Sequence, residues 1–418
     1  MTIPTPIRLG LFSLAASLSF CISPALAGDW PQFLGPTRNG VYADADVTAT
    51  FPDAGPKVLW KQEVGHGFAG PVVSSGKLVL FHRIDEKECV QCFDAKTGKS
   101  IWKSEYPTDY NDDFGFDDGP RATPTIAGGK IYTFGASGML ACWDLATGKQ
   151  IWAVDTRKTF KSPKGYFGRA CSPLVEGDAV IMNIGAEGAG IVAFDKETGK
   201  TLWKATDDAA SYSSPVAATI SGKRYVFVFT RAGLAAIDPA TGKVYFDFHF
   251  RSRMDASVNA ATPLVIGDTI FLSASYGTGA ALLKFDEAGP KEIWSGDNIL
   301  SNHYATSVES NGFLYGFNGR QEQGPSLTCV ELKTGKVRWT EDHYGAGTIL
   351  LAGGKLLVLS EKGELQIAPA SPVSFKPTAH AQVLAFNSRA YPALADGLLY
   401  ARSTTEMVCV DLRAGKAK

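Results

Sequence analysis

The chain has 418 residues, of which 45% are hydrophobic and 20% are charged, a composition typical of a globular protein with a large core. Its formal net charge of -1 excludes an overall positive field of the kind that attracts nucleic acid, so we expect no nucleic-acid partner. The 44 glycines and 22 prolines favour many short strands and turns.

The first 27 residues have the features of a secretory signal peptide. Arg8 supplies positive charge, an apolar run follows, and Ala25 and Ala27 form a small-x-small cleavage site before Gly28. The apolar run is too short for a transmembrane helix. Phe20 precedes Cys21 where a lipid-attachment site needs a small residue, which speaks against lipidation. The sequence therefore predicts export to the periplasm or cell envelope of a bacterium, with no transmembrane segment after cleavage.

Residues 28–53 form an N-terminal extension, and a repeated segment follows it. The repeat is clearest in "CFDAKTGKSIW", which runs from Cys92 to Trp102. Further copies begin at Cys142, Ala193, Ala236, Lys284, Cys329 and Cys409, and a divergent copy spans 363–383. Eight copies at a period of about 45 residues are typical of a β-propeller built from four-stranded blades.

Each copy has the composition of two strands joined by a tight turn. The Asp of the repeat can cap the turn, and the Gly supplies the positive φ that the turn needs. β-Branched and aromatic residues on both sides favour strands over helices. The sequence predicts an all-β fold of four-stranded antiparallel blades.

The two ends of the repeated region predict closure into a ring. The copy that starts at Cys409 ends before its Trp, and "AGPKVLW" (residues 54–60) has a Trp strand without a preceding partner. We therefore expect the N-terminal strand to complete the last blade, which removes exposed sheet edges. Residues 54–418 would then form one eight-bladed domain.

The repeat resembles the tryptophan-docking motif Ala-x-Asp-x-x-Thr-Gly-x-x-x-Trp of the pyrroloquinoline-quinone-type β-propellers. "AFDKETGKTLW" (residues 193–203) matches every fixed position. The docking position is held by Trp60, Trp102, Trp152, Trp203, Phe246, Trp294 and Trp339. In that family each such Trp packs against a glycine turn of the neighbouring blade. The resemblance therefore implies the partners Gly98, Gly148, Gly199, Gly242 and Gly335.

That family includes quinoprotein dehydrogenases and exported non-catalytic members, among them the propeller lipoprotein of outer-membrane barrel assembly. The dehydrogenases carry a vicinal Cys-Cys pair beneath the quinone, and this sequence contains no Cys-Cys. Its pattern is closest to the non-catalytic members. We expect the six cysteines after Cys21 to be free and mostly buried, because most occupy a small-residue position of the repeat. Cys89 and Cys92 would lie too far apart on one strand to form a disulfide.

Polar residues precede the small-residue-Pro steps, such as "ATP" at residues 122–124, that open the inner strands. These residues are His66, Arg121, Arg169, Tyr212, Asn259, His303, Tyr304 and Arg389. On a closed ring they should converge on one mouth of the central channel. Three arginines without Asp or Glu at matching positions favour an anion or a carboxylate-bearing partner. Alternatively, these side chains pack, or bond backbone carbonyls, around a water-filled hole.

The loop "DYNDDFGFDDG" (residues 109–119) has the spacing of a short calcium loop. Its candidate ligands are Asp109, Asn111, Asp113 and Asp117. Phe114 and Pro120 stand where an EF-hand requires Gly and Glu. The alternative is a solvated acidic loop at the channel mouth.

Two functions are compatible with these sequence features. The repeat with no recognised catalytic motif favours a non-catalytic exported propeller that binds a protein or a glycan through one face and needs no cofactor. The family resemblance, the arginines and the acidic loop leave the alternative of an oxidoreductase that binds pyrroloquinoline quinone and calcium in its channel.

Overall fold

The computed structural model describes Met1 and residues 28–43, 47–255 and 257–414, and the predicted signal peptide (1–27) lies outside these ranges except for Met1. Eight four-stranded antiparallel blades form a ring, so the prediction of an eight-bladed all-β propeller is confirmed. In each of the first seven blades the strands follow chain order from the channel outward.

The strands have the following bounds. Two strands precede the first complete blade: β1 (Val41–Tyr42) and β2 (Lys57–Glu63). Blade 1 contains β3 (Val72–Ser74), β4 (Lys77–Ile84), β5 (Lys87–Asp94) and β6 (Ser100–Pro107). Blade 2 contains β7 (Thr125–Ala127), β8 (Lys130–Phe134), β9 (Met139–Asp144) and β10 (Gln150–Asp155). Blade 3 contains β11 (Leu174–Glu176), β12 (Ala179–Ala186), β13 (Ala189–Asp195) and β14 (Thr201–Ala205). Blade 4 contains β15 (Val216–Ile220), β16 (Lys223–Phe229), β17 (Gly233–Ile237) and β18 (Val244–His249).

The second half of the ring repeats this arrangement. Blade 5 contains β19 (Leu264–Ile266), β20 (Thr269–Ala274), β21 (Gly279–Asp286) and β22 (Gly289–Gly296). Blade 6 contains β23 (Val308–Ser310), β24 (Phe313–Asn318), β25 (Ser326–Glu331) and β26 (Val337–Glu341). Blade 7 contains β27 (Gly347–Ala352), β28 (Lys355–Ser360), β29 (Glu364–Pro369) and β30 (Ala379–Gln382). Blade 8 contains β31 (Ala393–Ala395), β32 (Leu398–Arg402) and β33 (Glu406–Asp411). A short helix α1 (Thr156–Phe160) and a 3-10 turn (Gln321–Gln323) lie in loops.

The ring closes through the N-terminal strand. Strand β2 pairs antiparallel with β33 as the outer strand of blade 8, and Trp60 stands opposite Cys409. The predicted closure is therefore confirmed. It joins residues far apart in the sequence and covers the outer edge of β33.

The docking motif joins neighbouring blades. The Nε1 of Trp60 donates to the Ala95 carbonyl at 3.0 Å, and a Cβ at Gly98 would come within 2.6 Å of the Trp60 ring. Gly98 has a φ of 70°, so glycine suits both the turn and the close approach. The same ring-on-glycine contact joins Trp102 to Gly148, Trp152 to Gly199, Trp203 to Gly242, Phe246 to Gly289 and Trp294 to Gly335. All five predicted glycine partners are confirmed, and Gly289 is a sixth.

The seventh docking residue has a different neighbour. Trp339 donates to the Ser371 carbonyl at 2.8 Å, and its ring lies 5.9 Å from that of Phe375. The divergent repeat thus replaces the glycine contact with an aromatic one. The six cysteines of the described chain are free and buried.

The N-terminal extension occupies the central channel. Trp30 pairs with Val73 through both backbone hydrogen bonds, the Ile126 amide donates to the Pro31 carbonyl, and β1 runs parallel to β27. We call residues 28–43 the channel segment. It begins at the face opposite the predicted mouth, where Asp29 accepts from Ser74 and Ser75. The channel is therefore not a water-filled hole along this segment.

Arg38 fastens the channel segment to three blades. It is only 2% exposed, and it donates to the carbonyls of Pro173 and Pro215 and to the Thr125 hydroxyl. Its Nε donates to Gln32 at 2.8 Å. Burial lowers the pKa of Arg38 to about 10, so the group remains charged at neutral pH. Backbone dipoles surround this charge, and no carboxylate of the described residues forms an ion pair with it.

Candidate functional site

A cavity of about 410 Å³ lies at the channel mouth. The loops that enter the inner strands form its walls, and Phe33 of the channel segment contributes to its floor. Its aromatic lining consists of Phe33, Phe68, Phe116, Phe167, Tyr212, Tyr276, His303, Tyr304 and Tyr391. A concave, largely apolar site with a few polar groups is the usual form of a ligand-binding pocket.

The structure brings together five of the eight residues that the sequence placed at the mouth. Arg121, Tyr212, His303, Tyr304 and Arg389 line the cavity. They come from the loops that enter blades 2, 4, 6 and 8, so the predicted convergence of these loops holds for this set.

Three of the predicted residues do not face this cavity. Arg169 is buried in the wall, where it donates to the Ile184 and Pro163 carbonyls and to Ser162. Asn259 donates to the Thr230 carbonyl at 2.8 Å and holds neighbouring loops together. The expectation that three arginines share one cavity is therefore wrong for Arg169, because buried carbonyls take its donors.

His66 lies at the rim, apart from the cavity lining. Its Nδ1 is 3.3 Å from Asp117, and its side chain is mostly exposed. The residue therefore contacts the acidic loop and not the aromatic pocket.

The cavity arginines have acidic neighbours that the sequence did not reveal. Arg121 lies 3.5 Å from the Asp112 carboxylate, and the Nε of Arg389 lies 3.1 Å from Glu361. Asp112 belongs to the acidic loop, and Glu361 follows the second strand of blade 7. Neither acid occupies the loop position used to compare the blades, so comparing matching positions did not reveal that both arginines have acidic neighbours.

Glu361 is held from two sides. One carboxylate oxygen accepts from the Tyr304 hydroxyl, and the other accepts from Gln321 at 3.0 Å. Burial, followed by the Glu361 charge, raises the pKa of Tyr304 well above its usual value, so the phenol stays protonated and continues to donate. This network fixes the carboxylate beside Arg389.

His303 is a neutral member of the lining. Its Nδ1 accepts from the Gln321 amide at 3.3 Å, which leaves the Nε2 proton to be donated to the Tyr276 hydroxyl at 2.9 Å. Burial lowers the pKa of His303 to about 4, and Arg320 and Arg389 add to the effect against the opposing charge of Glu322. The imidazole is therefore uncharged at neutral pH.

The four candidate calcium ligands do not converge on one point. Asp109 pairs with Arg157 at 2.9 Å and Asp113 with Lys164 at 2.8 Å. Asp117 accepts from the Gly119 amide at 2.6 Å, and Asn111 is exposed. Within the described ranges, no group of three or more His, Cys, Asp or Glu side chains is arranged to hold a metal. The loop contributes Phe116 to the cavity instead.

The residues present do not fit pyrroloquinoline quinone, which carries three carboxylates on a planar ring system. The two cavity arginines already face Asp112 and Glu361, and Glu322 adds a further carboxylate to the lining. Three ligand carboxylates would meet these acids with too few unpaired cations. The channel below Phe33 is filled by the channel segment.

Eight four-stranded blades, most of them joined by a docking aromatic residue on a glycine turn, define a β-propeller of the quinoprotein-like repeat class. More specifically, the chain belongs to the family of the outer membrane protein assembly factor BamB, whose family model matches residues 86–341. Among the described residues, no helix has the length and apolar composition needed to cross a membrane.

Known proteins of two kinds are similar to this chain. The outer membrane protein assembly factor BamB of Shewanella oneidensis is 21% identical over 341 residues, which are 77% of this chain and 70% of that protein. The crystal structure of BamB from Moraxella catarrhalis matches with a TM-score of 0.64 at 15% identity, covering 87% of this chain and 99% of that one. The quinohemoprotein alcohol dehydrogenase of Comamonas testosteroni matches with a TM-score of 0.69 at 16% identity, covering 95% of this chain and 82% of that one. At these identities the structural matches show the fold alone.

Proposed function

We propose that this chain is an exported, non-catalytic propeller that assists the assembly of outer membrane proteins by holding a protein partner at its channel mouth. Family membership supports the assembly role, since the family is that of an outer membrane protein assembly factor. The signal peptide predicted at residues 1–27 would deliver the chain to the periplasm. We prefer a protein over a glycan as the partner because the family's named role concerns proteins.

The aromatic mouth carries the proposal. Phe114 and Phe116 of the acidic loop are 55% and 49% exposed, and both pack against Phe167 at ring distances of 4.9 and 6.0 Å. Exposed aromatic residues beside arginines are typical of the residues that dominate binding energy in protein interfaces. A partner side chain inserted into the cavity would cover this apolar surface.

The first test is genetic. Deleting the gene from its host should lower the fraction of folded outer membrane barrels, measured from their heat-modifiable migration on gels. The wild-type gene should restore that fraction, whereas Phe116→Asp should not, because it places a charge in the apolar mouth. Val373→Asp is the matched control, since Val373 is an exposed apolar residue that does not line the mouth cavity. Normal barrel assembly in the deletion strain would contradict the proposal.

The second test addresses the quinone alternative. The purified mature protein is titrated with pyrroloquinoline quinone, with and without calcium, and followed by absorbance and calorimetry. We expect neither a spectral shift nor stoichiometric heat. Saturable uptake of one quinone per chain would replace the non-catalytic interpretation with that of a quinoprotein.

A further inference from the structure

Arg389 has donors without acceptors. Its guanidinium lies 5.3 Å from the centroid of the Phe68 ring and 5.4 Å from that of Phe116, and its side chain is 17% exposed. The Nε approaches Glu361 to 3.1 Å but lies off the direction that a hydrogen bond requires. No atom in the described part of the chain accepts a hydrogen bond from either terminal nitrogen. These donors are therefore available at the cavity.

Arg121 and Arg169, which the sequence grouped with Arg389, already donate to acceptors of the protein. Arg121 donates to the Gly119 and Asp117 carbonyls at 2.9 and 2.8 Å. Arg169 gives its terminal donors to wall carbonyls and Ser162. The contrast is informative because the terminal nitrogens of Arg389 face the open cavity and have no acceptor within the described part of the protein. A ligand can therefore supply acceptors to these donors without breaking a hydrogen bond of the protein.

The shape and charge of the site restrict the acceptor. A guanidinium edge presents two parallel donors, which match the two oxygens of one carboxylate. Arg121, Arg320 and Arg389 at the mouth are balanced by the three acids Asp112, Glu322 and Glu361. A polyanion would be repelled by these carboxylates, whereas a single negative charge can be accommodated at the open edge of Arg389. The aromatic walls suit an apolar body attached to that charge.

We propose that the cavity binds one carboxylate carried on an apolar or aromatic group. The terminal nitrogens of Arg389 donate to both carboxylate oxygens. Phe68 and Phe116 hold the guanidinium plane in place, and Glu361 limits its movement through Nε. The apolar body lies among the aromatic side chains above Phe33. The inference rests on the proposed function, because it names the chemistry by which the same mouth would recognise a partner.

Two sources carry this chemistry: the free C-terminus of a polypeptide that ends in an apolar residue, and a small aromatic acid. The probes are therefore the peptide Ala-Ala-Ala-Phe with a free carboxylate, the same peptide as its C-terminal amide, and 3-phenylpropionate. Calorimetry on the full mature protein measures each dissociation constant. Acetate serves as the control for a carboxylate without an apolar body.

We expect the free-acid peptide to bind at least about tenfold more tightly than its amide, because the amide loses the charge and one acceptor oxygen. Arg389→Ala should abolish that preference, and Arg389→Lys should lose about tenfold because a lysine lacks the planar fork. Arg157→Ala, which removes a positive charge outside the cavity lining, should bind like the wild type. Melting curves confirm that each variant is folded.

The comparison between probes identifies the source. Tighter binding of the peptide than of 3-phenylpropionate assigns a chain end, and equal binding assigns a small acid. Equal binding of acid and amide, an Arg389→Ala protein that retains the preference, or acetate binding as tightly as the peptide would each overturn the proposal.

The peptide-binding experiment and the gene-deletion experiment can fail independently of each other. If the peptide binds through Arg389 but the deletion strain assembles its barrels normally, the carboxylate site stands and the assembly function fails. If the deletion strain is defective but the acid gains nothing over the amide, the assembly function stands and the carboxylate site fails.

Discussion

The filled part of the central channel and its open mouth use arginines in opposite ways. In the filled part, every nitrogen of Arg38 donates to Gln32, Thr125 or a backbone carbonyl. At the mouth, the terminal nitrogens of Arg389 have no acceptor among the described residues, although two phenyl rings hold the group in place. The first arrangement is complete without a ligand, and the second lacks its acceptors.

This difference separates a structural arginine from a candidate binding arginine. Both residues are charged and largely buried, so residue type and burial do not distinguish them. The number of donors that have an acceptor distinguishes the two arginines, because a buried polar group contributes to stability only where its hydrogen bonds are made. Arg169 belongs with Arg38 by this criterion, although its sequence position resembles that of Arg389.

The largest expected effect is that of Arg38→Ala. The change leaves the Pro215 carbonyl without its side-chain donor, leaves the Pro173 carbonyl with the Thr125 hydroxyl alone, and removes the contacts of this side chain with three blades. Hydrogen bonds to a charged group contribute about 1.5–3 kcal/mol each, so the free energy of unfolding should fall by about 3 kcal/mol or more. Urea denaturation followed by tryptophan fluorescence measures it. A variant as stable as the wild type would show that Arg38 does not fasten the segment.

The pH dependence of stability should show an intermediate effect. The folded-state pKa of His303 is about 4, below its ordinary value of 6.5, so the unfolded chain binds this proton more tightly. The stabilisation is complete above pH 6.5 and is lost as the pH falls from 6.5 towards 4, by up to about 3 kcal/mol at 1.36 kcal/mol per pH unit. His303→Gln should flatten this part of the curve.

The control for that measurement lies outside the cavity. Burial also lowers the pKa of His82, to about 3, so acid should destabilise both the wild type and the His303→Gln protein. The difference between their unfolding curves isolates His303. Parallel curves for the two proteins between pH 6.5 and 4 would contradict the assigned neutral imidazole.

The smallest effect on stability is expected for Arg389→Ala. The change removes contacts with two rings and the ion pair with Glu361, which keeps its hydrogen bonds from Tyr304 and Gln321, so the free energy of unfolding should fall by about 1–2 kcal/mol. Thermal denaturation of the Arg389→Ala and Arg38→Ala proteins under the same conditions compares the two effects directly. A loss as large as that of Arg38→Ala would place Arg389 among the structural arginines and remove the distinction between the filled channel and its mouth.

The repeat determined the fold because its interactions are local or lie between neighbouring copies. An Asp-capped turn, a glycine with positive φ and an aromatic residue on the next strand recur with one period, and each copy docks on the copy beside it. Trp60 on Gly98 is one such contact, and even ring closure followed from an unpaired strand at one end and an incomplete copy at the other. All of these features can be recognised by comparing successive copies of the repeat along the sequence.

The mouth and the channel could be predicted only in part from the sequence. Aligning the inner strands grouped Arg121 with Arg389, but it also included Arg169, whose donors are taken by carbonyls of its own blade and loop. Glu361 was missed because it follows the second strand of blade 7 and does not lie in a loop that enters an inner strand. Phe33 was missed because it belongs to the N-terminal extension, which is not part of the repeat. Their place was decided by the tertiary structure, because contacts across a ring join residues from non-adjacent blades and leave no period in the sequence.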